Sequence, residues 1–324
     1  MKNVPLVADV VGDNYSADEY YQNEKKYGNQ LKEQFVSVTN SQGKTVGYDQ
    51  KEGAVFIMNP GSADVQSAVK ENVGVKTRIG FTYGKYRGKI KFPLLLNKTN
   101  MWNGITCAFW LLYQGEGDWN MRGPCEGAGY IPKYEFEKTS HRERINNYSE
   151  IDIEIVKTSR YWPKSSYGNA RTFPTEDASK NHDIIVACTN WDLACQEPAD
   201  FNVGVRDIKY DGQTFGLHRW DYWYKALTSK YSTESDDVVG TEMYFEIDWQ
   251  PEQIIWRMGK SKDNMKVIGY MNSRSTKIPD NQMITVVSQE FHDGSWWPPA
   301  PWFQDNIPFP KNDLKGYVYE LEVE

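Results

Sequence analysis

The run Glu150-Ile151-Asp152-Ile153-Glu154 carries the residues of this chain best suited to chemistry. A β-strand has a side-chain period of two, so its three carboxylates would point to one face and its two isoleucines to the other. The pattern is costly by default, because Asp and Glu are poor strand residues. Neighbouring acids on one face, roughly 6.5 Å apart, repel by about 2.5 kcal/mol at an effective dielectric constant near ~20. Cleavage of a glycosidic bond by paired carboxylates is one chemistry that would justify this cost.

Hydrolysis of a glycoside with retention of configuration needs a nucleophile and a general acid/base whose carboxyl groups lie about 5–5.5 Å apart. The Cα atoms of Glu150 and Glu154 would be roughly 13 Å apart on a strand, and two Glu side chains leaning inward close most of that gap. Asp152 between them could tune the pair by hydrogen bonding, so that one carboxylate attacks while another donates a proton. The spacing also tolerates the wider separation of an inverting enzyme. A solvated strand face that happens to be acidic is the plain alternative.

The acidic run needs strands around it, and the sequence supplies many. Short apolar or alternating segments separated by Gly, Asn and Asp predict strands, whereas helical periodicity is nearly absent apart from a short helix predicted over 220–230. Many short strands without intervening helices predict a β-sandwich or barrel. The predicted strands are 55–58, 77–83, 86–92, 105–113, 149–156, 184–189, 243–249, 254–258, 283–288 and 317–323, with a turn at Gly84-Lys85.

The chain divides into two unequal parts. Residues 1–34 are polar and rich in Tyr and predict an irregular lead-in, whereas 35–324 predict a single all-β domain. Two long polar segments, 114–148 and 157–183, flank the acidic strand. Loops of this length in a compact domain are usually functional or mobile, so we expect them to form the walls of a cleft. Surface insertions without function are the alternative.

Composition excludes several classes of protein. Charged residues make up 25% of the 324 residues and hydrophobic residues 39%, which is typical of a globular protein. The net charge of −7 disfavours nucleic acid and anionic membranes as partners. No apolar run is long enough to predict a transmembrane helix. Aromatic residues reach 14%, with 12 Trp and 21 Tyr, a surplus that either packs a sandwich or lines a groove that stacks on sugar rings.

The cysteines and histidines predict no metal site. Four Cys allow three disulfide pairings, and both a local Cys188–Cys195 bridge and free buried thiols are compatible with the sequence. The four His are scattered, and no Cys/His cluster has the spacing of a zinc site. The chain does not open on a signal peptide, so it is either cytosolic or a mature chain whose export signal has been removed. The four cysteines are Cys107, Cys125, Cys188 and Cys195.

Four blocks of the sequence resemble glycoside hydrolase family 16, the β-jelly-roll endo-glycanases that include lichenases and laminarinases. The acidic run 150–154 matches the form Glu-x-Asp-x-Glu. Blocks similar to the family's paired strands, to its strand before the acidic motif and to its Asp-Trp-x-Pro segment stand at 83–93, 108–112 and 245–254. The blocks keep the family's order. The resemblance implies a β-jelly-roll sandwich of two antiparallel sheets with a concave substrate cleft.

The resemblance also implies a mechanism and a substrate class. Glu150 would be the nucleophile, Glu154 the general acid/base and Asp152 the assisting acid of a retaining endo-β-glycanase, with no cofactor required for catalysis. The first substrate expectation is a β-1,3-glucan or a mixed-linkage β-1,3-1,4-glucan, and the second is an algal galactan of agar, porphyran or carrageenan type. A jelly roll that binds carbohydrate without catalysis is the rival from another class, and a structural or adhesion domain is a third. We expect a secreted, periplasmic or cell-surface monomer whose partner is a polysaccharide.

The chain also departs from the family's pattern. Ile155 stands where lichenases have Phe, and Met243 stands near a position where lichenases commonly have His. The motif without an extra residue before its final Glu is similar to lichenases and xyloglucan-active members, whereas a six-residue form is more usual in laminarinases, agarases and carrageenases. These departures leave the acids untouched but weaken any assignment of the sugar.

Several further residues are candidates for contact with substrate, each with a structural alternative. Trp110 lies in an apolar strand and is equally suited to the core, whereas Trp249 and Trp256 favour the core outright. Arg142 and Arg144 could contact sulfate, although local ion pairs explain them more simply. A structural calcium ion could be held by the N-terminal acids Asp9, Asp13 and Asp18. The predicted substrate-binding residues are Trp102, Trp110, Asn190, Trp191, Glu290, His292, Trp296 and Trp297.

Overall fold

A computed structural model gives the fold of the chain. It describes residues 4–5, 35–38, 45–61, 73–77, 79–96, 103–114, 148–159, 182–192, 204–219, 226–233, 236–280, 283–291 and 311–324.

These residues form 18 β-strands and one 3-10 turn, Asp236–Val238. In chain order the strands are β1 (Val4–Pro5), β2 (Phe35–Val38), β3 (Val46–Asp49), β4 (Ala54–Asn59), β5 (Val73–Thr77), β6 (Ile79–Gly80), β7 (Gly84–Lys91), β8 (Ile105–Gln114), β9 (Tyr148–Ser159), β10 (His182–Asp192), β11 (Gly204–Tyr210), β12 (Gln213–Arg219), β13 (Ala226–Thr233), β14 (Met243–Gln250), β15 (Gln253–Gly259), β16 (Lys266–Asn272), β17 (Ile284–Phe291) and β18 (Leu314–Val323).

The strands form two large antiparallel sheets. The larger sheet has the order β11-β12-β13-β10-β9-β8-β17-β5-β2, and the smaller has the order β16-β15-β14-β7-β18-β4-β3. The short strands β1 and β6 pair separately, which ties two residues of the predicted lead-in to the domain. The chain crosses between the sheets, in the manner of a jelly roll. The predicted fold class, an all-β jelly-roll sandwich of two antiparallel sheets, is confirmed.

The inner faces of both sheets share one apolar core. Trp249 and Trp256 are fully buried in it, as predicted, together with Tyr86, Phe109 and Phe245. Burying an aromatic side chain of this size contributes on the order of 2–3 kcal/mol, so these residues dominate the attraction between the sheets.

One prediction about an individual element needs correction. The helix predicted over 220–230 is wrong for its second half, because Ala226 to Lys230 are the first residues of β13. Their side chains are alternately placed on the two faces of a sheet, and pairing along β10 satisfies the backbone that a helix would have bonded internally.

The sequence left two states of the cysteines open, a Cys188–Cys195 bridge and free buried thiols. Cys107 and Cys188 are both free thiols buried in the core, which is the second of these states.

Candidate active site

The acidic run lies on β9, the middle strand of the larger sheet, with β8 on one side and β10 on the other. Residues directly opposite each other in an antiparallel pair place their side chains on the same face. The three carboxylates of Glu150, Asp152 and Glu154 therefore share one face of the sheet, as the two-residue period predicts.

The isoleucine face of β9 points to the smaller sheet. Ile153 is opposite Phe109 on β8 and Cys188 on β10. A Cβ atom built on Gly88 of β7 would lie 3.3 Å from the Phe109 ring, and one built on Gly269 of β16 would lie 2.8 Å from the Cys188 Cβ. Both glycines belong to the smaller sheet, so this face is the inner one. The carboxylates consequently project from the outer face of the larger sheet.

The cross-strand neighbours give each carboxylate a different setting. Glu150 stands between Leu112 and Trp191, and Asp152 stands between Trp110 and Thr189. Asp152 is only 2% exposed, whereas Glu150 and Glu154 are partly exposed.

Glu154 has alanine on both sides, Ala108 on β8 and Ala187 on β10. These small side chains leave space on the sheet surface around its carboxylate, which a ligand or a longer neighbouring side chain can occupy. The two outer acids are thus accessible, and the middle acid is held beneath them.

A hydrogen-bonded chain links the neighbouring strand β8 to β17. The indole Nε1 of Trp110 donates to the Ser288 hydroxyl at 3.1 Å, and that hydroxyl donates to Glu290 Oε1 at 2.8 Å. Ser288 is opposite Ala108, which is opposite Glu154, so only the small side chain of Ala108 separates this hydrogen-bonded chain from Glu154. The structure therefore brings Trp110, Trp191 and Glu290 of the predicted binding residues to the acidic face.

The polar surface continues across β10, β13 and β12. Thr189, the neighbour of Asp152, shares a 3.0 Å hydrogen bond between hydroxyls with Thr228. Thr228 is opposite His218, which is fully buried. Burial and the nearby charge of Lys230 lower the pKa of His218 to about 3, so its imidazole is neutral. A row of uncharged hydrogen-bonding groups thus extends from Asp152 toward the sheet edge.

Lys230 occupies the same face, opposite Ala187, which separates it from Glu154. Although the residue is partly exposed, desolvation of its ammonium lowers its pKa to about 7. Lys76 of β5 lies on this face too, opposite Val286, and is fully buried.

Asn190 does not reach the acidic face. It is opposite Ile151, so it shares the inner face, and its amide nitrogen donates to the Thr276 hydroxyl and the Lys277 carbonyl, both at 2.9 Å. These acceptors follow β16 of the smaller sheet. Asn190 therefore joins the two sheets, and its side chain lies on the face opposite to that of Trp191, the adjacent predicted binding residue.

Several predicted residues lie outside the described part of the chain. They are the predicted binding residues Trp102, His292, Trp296 and Trp297, the arginines Arg142 and Arg144, the acids Asp9, Asp13 and Asp18, Cys125 and Cys195, and most of the two long polar segments. Within the described ranges, no group of three His, Cys, Asp or Glu side chains is placed to hold a metal ion.

The sequence reasoning missed Ser288, Thr189, Thr228, His218 and Lys230. For Ser288 and Thr189 a signal existed, because each stands two residues before a predicted binding residue, Glu290 or Trp191, and would share its face if the predicted strand continued. The other three needed knowledge of which strands follow β10 in the sheet, which depends on pairings between distant segments.

The site can now be characterised as a row of three carboxylates on the outer face of a two-sheet antiparallel β-sandwich, bordered by two tryptophans. No protein-family model matches the chain, and no curated protein matches it.

Solved structures with a similar course of the chain include several enzymes of glycoside hydrolase family 16. One is a family 16 endo-glucanase from Bacteroides ovatus, with 12% identity and a TM-score of 0.48, covering 90% of this chain and 94% of that one. A lichenase derived from a mouse hindgut metagenome has 14% identity and a TM-score of 0.44, covering 92% and 97%. Porphyranase B from Zobellia galactanivorans has 13% identity and a TM-score of 0.44, covering 90% and 85%.

No helix in the described ranges is long and apolar enough to cross a membrane.

Proposed function

We propose that the protein is a retaining endo-β-glycanase that hydrolyses internal glycosidic bonds of a polysaccharide. The observation that carries the proposal is the placement of Glu150, Asp152 and Glu154 on one outer face of a central strand, with Trp110 and Trp191 beside them. Two accessible carboxylates around a buried third are suited to two-step acid/base chemistry. Trp110 and Trp191 are only 8% and 4% exposed, so their rings pack beside the acids and help to fix the shape of the site.

In the first step, a Glu150 oxygen attacks the anomeric carbon and forms a covalent glycosyl ester. The bond from that carbon to the leaving oxygen breaks, and Glu154 gives its proton to this oxygen. In the second step, Glu154 takes a proton from water, whose oxygen attacks the anomeric carbon and releases Glu150. Two inversions give net retention, and both carboxyl groups return to their starting states.

In this proposal Asp152 assists Glu150 and Glu154 without contacting the substrate. It is too buried to contact a polymer directly, and it lies between the two reacting carboxyl groups on the same strand face. A third acid in this position can hold and orient the two reacting carboxyl groups by hydrogen bonding.

The preferred substrate is a β-1,3-glucan or a mixed-linkage β-1,3-1,4-glucan, and an algal galactan is the alternative. We propose a secreted, periplasmic or cell-surface location, where such polymers occur, and a monomer that needs no cofactor for catalysis. A structural calcium ion at the N-terminal acids remains part of this proposal.

The test is an assay of new reducing ends on a panel of β-glucans, agars and carrageenans, with NMR of the first anomer released. We expect turnover of one polymer class with retained configuration. Glu150→Ala should abolish turnover and leave polymer binding intact, and Glu154→Ala should lower kcat by about 10²–10⁴-fold. Glu320→Ala, an exposed Glu on β18 of the smaller sheet, is the matched control and should retain full activity.

Azide separates the two roles further. As a small external nucleophile, it should rescue Glu150→Ala with an α-configured glycosyl azide and Glu154→Ala with a β-configured one. Inverted configuration of the first product would contradict the nucleophile assignment. Binding to a polymer without turnover of any in the panel would favour the non-catalytic jelly roll.

A further inference from the structure

The hydrogen-bonded chain Trp110–Ser288–Glu290 has a fixed direction. A serine hydroxyl carries one proton, and an indole N–H can only donate. Because Ser288 accepts from Trp110 at 3.1 Å, its own proton is directed to Glu290 Oε1 at 2.8 Å. The indole has no second donor and Trp110 is only 8% exposed, so this residue offers a ligand no hydrogen bond and instead holds Ser288 in place.

Ser288 is built into the sheet at this point. It is fully buried, and the facing residue on β5 is Gly74. A Cβ atom on Gly74 would lie 2.7 Å from the Val287 carbonyl oxygen and 3.1 Å from the Ser288 Cβ. The glycine therefore lets β17 pack closely enough to hold the serine, and the orientation of the Trp110 ring is set by the fold.

The hydrogen-bonded chain ends on an acidic group at the surface. Glu290 is partly exposed and lies on the face that carries the catalytic candidates. Of the described residues on this face, more are acidic than basic, and His218 is neutral. The carboxylates are those of Glu150, Asp152, Glu154, Asp183, Asp207 and Glu290, and the amino groups are those of Lys76, Lys209 and Lys230.

We propose that this face selects uncharged sugars, with Glu290 as the residue that rejects sulfated or carboxylated ones and Ser288 as the positioning residue that couples it to Trp110. The inference rests on the proposed function of the same site. The partly exposed carboxylate of Glu290 accepts hydrogen bonds from the hydroxyls of a neutral sugar that lies over this face. The same carboxylate would face a sulfate or carboxylate substituent without a proton to offer, and like charges this close repel.

The experiment compares polymers that share a backbone but differ in charge. Turnover of an unmodified β-1,3-glucan and of its carboxymethylated derivative is measured, and neutral agarose is compared with a sulfated galactan. We expect kcat/KM to favour the neutral member of the productive pair by at least about tenfold. Glu290→Gln keeps the acceptor oxygen and removes the charge, so it should bring this ratio close to one. Ser288→Ala should raise KM severalfold with little change in kcat.

The chain offers a matched control. Ser273 donates to Glu252 at 2.6 Å in an exposed turn of the smaller sheet, so it forms the same kind of pair away from the acidic face. Ser273→Ala and Glu252→Gln should leave the neutral-to-anionic ratio unchanged. If these variants move the ratio as much as Glu290→Gln does, the selectivity arises from the net charge of the protein and the proposal fails.

A binding measurement keeps the selectivity separate from catalysis. Titration calorimetry with neutral and carboxymethylated oligosaccharides on Glu150→Gln reports preference without turnover. If the wild type hydrolyses no polymer but Glu150→Gln binds the neutral sugar better, the proposed function fails and the selectivity stands. Equal or tighter binding of the anionic sugar, or no binding of either, overturns the selectivity.

Discussion

Replacement of Arg87 by methionine is expected to destabilise the fold far more than the same change at Lys89, its neighbour on the same face of β7. The Arg87 Nε atom donates to Glu246 Oε2 at 2.8 Å, and another guanidinium nitrogen contacts Glu322. The side chains of Arg87 and Glu246 are 8% and 3% exposed. Lys89 pairs with Glu242 at 2.7 Å, but the two side chains are 26% and 47% exposed.

The expected magnitudes follow from burial. Loss of one member of a buried ion pair costs about 3–5 kcal/mol, because the remaining charge stays desolvated. Glu246 keeps Arg257 as a partner, with Nη1 at 2.5 Å from Oε1, so the lower end, about 3 kcal/mol, is expected for Arg87→Met. Lys89→Met removes an exposed pair, worth about 0.2–1 kcal/mol.

Urea denaturation of both variants, followed by circular dichroism, measures the difference in the free energy of unfolding. Both residues lie on the smaller sheet, so the activity of the folded variants should be unchanged. Equal losses of stability for Arg87→Met and Lys89→Met would refute the argument that burial decides the cost. A loss of activity in folded Arg87→Met would refute the separation of this ion cluster from the acidic face.

Three further outcomes follow from other parts of the structure. Gly269→Ala should lower the free energy of unfolding by about 1–3 kcal/mol, because the added Cβ would lie 2.9 Å from Cys188 Sγ. Adding Cys188→Ala to this variant should recover part of the loss in the same urea assay. Burial and the nearby charge of Lys230 lower the pKa of His218 to about 3, so as the pH falls the unfolded chain binds this proton before the folded protein does. The free energy of unfolding should therefore be highest above pH 6.5 and should fall as the pH is lowered toward 3, by about 2 kcal/mol between pH 6.5 and 5. His218→Gln should flatten this pH dependence. Burial raises the pKa of the Cys107 and Cys188 thiols well above the ordinary value, so neither should react as a thiolate in the folded protein. In a variant whose other two cysteines are replaced by serine, iodoacetamide at pH 8 should label neither thiol until urea unfolds the protein. Mass spectrometry measures the labelling.

Local patterns in the sequence predicted much of the fold. Alternation of acids and isoleucines gave the strand β9 and the two faces of its side chains, a long apolar run gave β8, and an alternating pattern gave β14. The hairpin between β11 and β12 was missed although its turn, Asp211-Gly212 with φ of 47° and 74°, is a strong signal for a two-residue hairpin. The order of strands in each sheet could not be predicted from the sequence, because it depends on pairings between segments far apart in the chain.

The same distinction explains the candidate site. The three acids could be placed on one face from their own strand, because the two-residue period fixes which side chains share a face. Trp110 could not, because its strand is apolar on both faces. Asn190 and Trp191 are adjacent on β10 and must point to opposite faces, and only the register with β9 shows that Trp191 is the one on the acidic face. His218 and Lys230 reach the face only through β12 and β13, and β13 had been predicted to be a helix.

The positions of β17 and β18 govern when the protein can fold. β17 lies between β8 and β5, and β18 lies between β7 and β4, so the last two strands of the chain occupy interior places in the two sheets. Ile284 must pair with Leu112, and Leu314 must pair with Asn59. Because these pairings close very long loops, we expect folding on the slow, millisecond-to-second timescale. A nascent chain that ends before residue 284 holds β5 and β2 apart from the rest of their sheet, with unpaired edges exposed. Both sheets are therefore completed only when β17 and β18 have joined them, and removal of these two strands should divide both sheets instead of trimming them.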